Sequence, residues 1–242
     1  MHKLNIGQRI GSLDWLFPRR CAMCDEILGR EERGCCRDCY LKLSFIEQPF
    51  CYCCGKPLEQ EEKEYCMDCS KARRSFVANR SLLLYDERTE LSIARFKFQN
   101  RREYAKFYGK ELSDRYKSQI LSWQPDVLLP VPIHPNKYRK RGYNQAGLIA
   151  QELSAHLGIP VLTDILMRRV ETAAQKELNP VERLENLERA FQICENSVKL
   201  DKVILVDDIY TTGATLEACS RVLLSYGVQR VYGVTVAAGQ GY

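Results

Sequence analysis

The chain is 242 residues long, with 45% hydrophobic and 28% charged residues, which excludes an intrinsically disordered protein and allows one good core with a smaller module beside it. Its formal net charge of +5 is compatible with a polyanionic partner but does not require one, because local patches decide such binding. No apolar run reaches the length of a membrane span, and the N-terminus lacks the apolar core of a secretion signal. These two observations predict a cytoplasmic protein without membrane insertion.

The first feature along the chain is a cluster of cysteines, since ten of the twelve lie within residues 21–69. They include four CxxC pairs with 11 residues between the pairs of each copy, and the last two pairs repeat the first two 30 residues later. Two intervening residues let a turn point both sulfurs at one ion, so two pairs supply a closed tetrahedral S₄ site. We therefore predict about two structural Zn²⁺ ions in a small module over 15–73, with the ligands Cys21, Cys24, Cys36, Cys39, Cys51, Cys54, Cys66 and Cys69.

The cysteine pattern leaves several alternatives open. Eight free thiols, redox-active CxxC pairs and iron–sulfur ligation are the competing interpretations of the same residues. The spacing does not decide whether Cys35 replaces Cys36 as a ligand, nor how the pairs combine into sites. If the eight cysteines bind two Zn²⁺ as thiolates, the net charge falls to about +1, which weakens the argument for a polyanion from bulk charge.

A larger domain over 78–242 is predicted from alternating strand and helix patterns. The predicted elements, in chain order, are a strand at Arg80–Tyr85, a helix whose face carries Tyr104, Tyr108, Leu112, Tyr116 and Ile120, a strand at Asp126–Val131, a helix with Ala146, Ile149, Leu153 and Leu157 that ends at Gly158, a strand at Val203–Val206, a helix from about Leu216 to Tyr226, and a last strand at Arg230–Ala238. This alternation predicts an α/β fold with a mainly parallel sheet.

The predicted site lies where these strands end, because ligands of such sheets bind beyond the carboxyl ends of the strands. Asp207 and Asp208 follow the strand VILV, and the basic stretch Pro132–Gln145 follows another strand. The turn Thr211–Thr215 offers hydroxyls and backbone N–H groups at the start of a helix, which suits a phosphate. Carboxylates beside a phosphate fit a ligand with sugar hydroxyls and a bound Mg²⁺. The pattern therefore predicts a sugar phosphate with a second, metal-bound anionic group.

These segments together resemble the ComF family, whose members carry a type I phosphoribosyltransferase domain behind a double zinc ribbon. The resemblance covers about residues 15–240 and rests on the cysteine repeat, VILVDDIYTTGAT, VPIHPNKYRKRGYNQA and RRVETAAQKELNPVERLENLERAF. It implies binding of 5-phosphoribosyl 1-pyrophosphate (PRPP) with Mg²⁺. The family's acceptor substrate is not defined by any motif, so the resemblance does not supply it.

The resemblance also implies roles for particular residues. Asp207 and Asp208 would hold the ribose hydroxyls and assist Mg²⁺, and Arg139 and Arg141 would face the pyrophosphate. His134 lies in the same loop, where an assisting role and a plain surface position are both open. The segment with Thr172, Gln175 and Arg183 matches the family's mobile active-site loop. The 5-phosphate would be held by Thr211, Thr212, Gly213, Ala214 and Thr215.

Two functions follow from the resemblance. The first is phosphoribosyl transfer, in which positioning and neutralisation of the leaving pyrophosphate carry catalysis. The second is a catalytically silent adaptor of the DNA-uptake machinery that binds nucleic acid on the same fold. The implied partners are PRPP, single-stranded DNA and a competence helicase or recombination protein. Basic clusters with aromatics, Arg95–Phe98 and Lys137–Arg141, are compatible with strand binding, although a solvated face explains the first cluster equally well.

Overall fold

The computed structural model describes residues 18–168, 188–194 and 199–240. The larger part of the chain folds around a four-stranded sheet in which every pairing is parallel, in the order β1-β6-β5-β2. The elements are α1 Arg37–Tyr40, α2 Met67–Lys71, β1 Ala78–Leu84, α3 Glu87–Phe98, α4 Tyr104–Ser122, β2 Val127–Pro130, α5 Pro135–Arg141, α6 Gln145–Leu157, β3 Leu166–Arg168, β4 Phe191–Ile193, β5 Lys202–Tyr210, α7 Ala214–Ser225 and β6 Arg230–Ala238. The predicted α/β fold with a parallel sheet is confirmed.

The central strand β5 separates two hydrophobic cores, because successive side chains of a strand point to opposite faces. Ile204 and Val206 pack into the core that contains residues of α3, α4 and α6. Val203 and Leu205 pack into the core that contains residues of α7 and of the second cysteine loop. All four aliphatic side chains are fully buried. A strand covered on both faces explains the unbroken aliphatic run VILV.

Strand β5 is longer than the sequence pattern predicted. It continues past Val206 to Tyr210, because β6 also continues and pairs Ala238 with Tyr210. Strand β2 stops earlier, with Pro130 opposite Val206. The two aspartates therefore lie inside the last part of β5 rather than after it, but they still extend beyond the carboxyl end of the neighbouring strand β2.

In the larger domain, helices α3 and α5 and the antiparallel pair of strands β3 and β4 were not predicted from the sequence. Helix α3 begins after Asp86, whose side chain accepts a hydrogen bond from the Thr89 N–H at 2.9 Å. Helix α5 starts with Pro135 and ends at Gly142 in the left-handed conformation. The short α5 therefore replaces part of what the sequence suggested was a basic loop.

The cysteine module is attached to both ends of β1. Backbone bonds from Ile46 to Leu82 and from Leu84 to Ser44 extend the sheet by a short antiparallel contact. The Asn79 N–H donates to the Cys53 carbonyl at 2.6 Å, which fixes the second cysteine loop against the start of β1. Within the described residues, no helix combines the length and apolar composition needed to cross a membrane.

Candidate active site and metal centres

The eight CxxC cysteines form two separate groups of four. In each group the sulfur atoms lie within 4.8 Å of one another. Two sulfurs bound to one tetrahedral Zn²⁺ at about 2.3 Å stand about 3.8 Å apart, and the measured separations are 3.7 Å for Cys21–Cys36, 3.9 Å for Cys24–Cys36 and 3.6 Å for Cys54–Cys66. The donor sets therefore fit two closed Cys₄ zinc sites, made of Cys21, Cys24, Cys36 and Cys39 and of Cys51, Cys54, Cys66 and Cys69.

The structure settles the pairing that the spacing left open. Consecutive CxxC pairs combine, the first with the second and the third with the fourth. Cys36, not Cys35, belongs to the first group, although the buried Cys35 sulfur lies 3.8 Å from the Cys21 sulfur. Backbone N–H groups of Met23 and Cys36 point at the Cys21 sulfur at 3.4 and 3.3 Å. Such donors stabilise a thiolate, as expected of a metal ligand.

The two aspartates of β5 have different environments. The Asp207 carboxylate accepts a hydrogen bond from the Asp208 backbone N–H at 2.8 Å, whereas the Asp208 carboxylate accepts from Lys97 Nζ at 2.9 Å. Burial and the neighbouring charge of Asp208 raise the pKa of Asp207 to about 7, against the opposing effects of the Asp208 N–H, Lys97 and Arg168. The two adjacent carboxylates are therefore not equivalent, since only Asp208 has an ion-pair partner among the described residues.

Four basic side chains interact electrostatically with these carboxylates. Lys97 comes from the last turn of α3, Lys137 and Arg141 from α5, and Arg168 from the end of β3. Burial lowers the pKa of Lys137, and the charges of Arg168, Arg141 and Lys97 lower it further, while Asp208 raises it. Burial also lowers the pKa of Arg141, which Asp208 opposes. With both aspartates ionised, four cations face two anions, so the cluster carries a surplus of positive charge.

The structure separates Arg139 from Arg141. Arg141 lies near Asp208. Arg139 lines a cavity of about 590 Å³ between α5, α6 and β3, together with Tyr138 and Arg168. His134 has a local role, because its Nδ1 accepts the Asn136 N–H at 3.1 Å and so caps α5. The predicted loop residues Thr172, Gln175 and Arg183 lie outside the described residues.

The turn after β5 surrounds a small cleft at the start of α7. Asp207, Thr211, Gly213 and Thr215 are among the residues that line it. Gly213 has a φ of 78°, and a Cβ added there would lie 2.1 Å from the Tyr210 hydroxyl oxygen. Glycine at this position therefore lets the turn pack directly on the buried Tyr210 ring.

Sequence reasoning did not place Lys97 or Arg168 beside the two aspartates. A helix over α3 is detectable from the buried positions Thr89, Ile93 and Phe96, which share one face. The pairing of Lys97 with Asp208 has no signal in the sequence, because 111 residues separate the two side chains. Only the folded chain brings them together.

Two family matches agree with this architecture. Residues 12–70 match the family described as double zinc ribbon domain, and residues 109–241 match the family described as phosphoribosyl transferase domain. Together with the parallel sheet and the two Cys₄ groups, these matches define a type I phosphoribosyltransferase fold preceded by a double zinc ribbon.

Curated relatives extend the likeness along the chain. Competence protein F of Haemophilus influenzae is 34% identical over 221 residues, covering 89% of this chain and 95% of that protein. Competence protein ComFC of Bacillus subtilis is 30% identical over 222 residues, covering 86% and 89%. The DNA utilization protein YhgH of Escherichia coli O157:H7 is 34% identical over 107 residues, covering 44% and 47%. The chain belongs to the family of competence protein F and ComFC, and the predicted ComF membership is confirmed.

Proposed function

We propose that this protein binds PRPP together with Mg²⁺ and transfers its phosphoribosyl group to an acceptor, within the handling of incoming DNA. The observation that carries the proposal is the juxtaposition of a phosphate-type turn with two carboxylates and a surplus of cations. The turn Thr211–Thr215 suits the 5-phosphate, Asp207 and Asp208 suit the ribose hydroxyls, and the cations suit a diphosphate. The competence-related names of the relatives supply the cellular context.

In this reaction the bond between ribose C1 and the pyrophosphate oxygen breaks, the acceptor forms a new bond to C1, and the acceptor loses a proton. Mg²⁺, when bound with PRPP, neutralises charge that develops on the departing pyrophosphate. Arg141 and Lys137 of α5 interact electrostatically with Asp208 and would hold the pyrophosphate oxygens. Catalysis then depends on positioning and electrostatics.

Isothermal titration calorimetry with PRPP and Mg²⁺ tests the binding step directly. We expect one PRPP per chain, and we expect EDTA to weaken the binding. Release of pyrophosphate in the presence of candidate amines, bases or short single-stranded DNA then tests transfer and identifies the acceptor class. Absence of PRPP binding by protein that retains its zinc would refute the proposal.

A second candidate function is a nucleic-acid-binding adaptor. The structure brings the two basic and aromatic clusters of the sequence together, because the Arg141 guanidinium lies 5.2 Å from the centroid of the Phe98 ring. Phe98 is 76% exposed and Tyr138 is 52% exposed. Exposed aromatics next to arginine and lysine offer a surface on which the bases of a single strand can stack.

The adaptor function is tested by the salt dependence of DNA binding and by removal of the Phe98 ring. We expect weak binding of single-stranded DNA that declines further between low and high salt, since only local patches contribute. Phe98→Ala should weaken it several-fold, whereas Leu91→Ala, at another exposed apolar position of α3, should not. DNA binding without PRPP binding would favour the adaptor over the transferase. Contact with a competence helicase or recombination protein and a cytoplasmic location remain predictions.

A further inference from the structure

The ion pair between Lys97 and Asp208 joins the last turn of α3 to the carboxyl end of β5. The distance from Nζ to Oδ1 is 2.9 Å, and the side chains are only 21% and 13% exposed. Asp208 leaves β5 on the face whose preceding side chains, Ile204 and Val206, pack into the core that contains α3. A partly buried pair is screened less by water than a surface pair, so this contact is a defined feature of the site.

This contact competes with the role proposed for Asp208. While Lys97 donates to it, the Oδ1 oxygen is less available to a divalent cation or a ribose hydroxyl. A ligand that binds this oxygen therefore competes with Lys97 and favours its displacement. The ammonium then needs another anion, because Lys137, Arg141 and Arg168 contribute positive charges to the same cluster.

A diphosphate is an anion that can bind the displaced Lys97 ammonium. Lysine carries a compact charge on a flexible four-carbon stem, so it can turn from a carboxylate to a nearby phosphate without a backbone movement. A diphosphate oxygen placed among Lys137, Arg141 and Arg168 would also draw the lysine towards it by charge. The divalent cation that binds Asp208 and the diphosphate that binds Lys97 then enter the site as one complex.

We propose that Lys97 is a positioning residue of the donor site: it neutralises Asp208 in the ligand-free protein and exchanges that carboxylate for diphosphate oxygens when a divalent cation and a sugar diphosphate bind together. The proposal rests on the proposed function and adds to it a coupling between two ligands. Lys97 opposes the binding of a free metal ion to Asp208, Asp208 competes with a free diphosphate for Lys97, and the two ligands therefore favour each other's binding.

The experiment measures two probes separately, Mn²⁺ alone by electron paramagnetic resonance and pyrophosphate alone by calorimetry in EDTA. Lys97→Met should bind Mn²⁺ about tenfold more tightly than the wild type, and pyrophosphate about tenfold more weakly. Lys97→Arg should behave nearly as wild type in both titrations, because it keeps the charge. Lys117→Met removes an exposed lysine of α4 that lies outside both basic clusters and should change neither affinity by more than about twofold.

The opposite signs of the two changes distinguish the exchange from a merely structural ion pair, whose loss would weaken both affinities. Asp208→Asn supplies an independent variant if Lys97→Met does not fold: it releases Lys97 and should bind pyrophosphate in EDTA more tightly than the wild type. Wild-type affinities of Lys97→Met for Mn²⁺ and pyrophosphate would overturn the proposal while leaving PRPP binding by the wild type intact. A wild type that binds neither PRPP nor pyrophosphate would instead refute the proposed function.

Discussion

Replacing Gly213 with alanine isolates the contact between the turn after β5 and Tyr210. The added Cβ would lie 2.1 Å from the hydroxyl oxygen and 2.5 Å from Cζ of Tyr210, whereas carbon atoms prefer separations of about 3.5–4.0 Å. Tyr210 is 3% exposed and packs edge-on against Phe76 at a ring-centroid distance of 6.2 Å, so the ring has little room to retreat. The substitution should therefore disturb both the turn and the core beneath it.

The magnitude follows from two contributions. An L-residue in the left-handed conformation costs about 1–2 kcal/mol, and overpacking in a core adds about 1–3 kcal/mol. Gly158 is a matched control, because its φ of 73° is nearly the 78° of Gly213 but no atom lies within 4 Å of an added Cβ. Gly158→Ala should have only the conformational cost, so Gly213→Ala should be less stable by about 2 kcal/mol more, or roughly 4–8 °C in melting temperature.

Thermal unfolding and calorimetry with inorganic phosphate test this prediction. We expect Gly213→Ala to lose phosphate affinity and Gly158→Ala to keep it. Tyr210→Leu should recover part of the loss in the double variant, because the leucine side chain can leave the space that the new Cβ needs. Equal destabilisation by the two glycine substitutions, with unchanged phosphate binding, would show that Tyr210 does not restrain the turn.

Three further substitutions test the metal centres and the carboxylates. Cys24→Ser should release one Zn²⁺ per chain and lower solubility, since the small module has little other core; retention of two Zn²⁺, or iron in the native protein by metal analysis, would contradict the ligand assignment. Asp208→Asn should weaken PRPP binding in Mg²⁺ about tenfold or more by calorimetry, with far-ultraviolet circular dichroism unchanged, because a charge-assisted contact is lost. The pKa of Asp207 is about 7 in the folded protein and about 3.9 in an unfolded chain. Protonation of this carboxyl therefore favours the folded state. The stability that Asp207 contributes falls as the pH rises from about 4 to about 7. In urea denaturation, Asp207→Asn should therefore gain stability relative to the wild type over that range, and a pH-independent difference would contradict the raised pKa.

The sequence alone was sufficient to predict those features that depend on residues close together in the chain. The four CxxC pairs are enough to identify the eight cysteines of the two groups that could each hold a metal ion, because two intervening residues fix the geometry of each pair. The run VILV predicts the inner strand β5, because a strand buried on both faces carries consecutive aliphatic residues. Helices α4 and α6 follow from their apolar periodicity.

The tertiary structure decided which side chains meet. It placed Lys97 of α3 against Asp208 of β5. It also placed Arg139 in the lining of the cavity between α5, α6 and β3, whereas Arg141 interacts electrostatically with Asp208. It also showed that Gly213 is required by Tyr210 beneath the turn. The physical reason is common to these cases. A metal-binding turn or a buried strand is specified by residues that are neighbours in the chain. An ion pair between distant elements depends instead on the order of the strands in the sheet and on the packing of the helices against it.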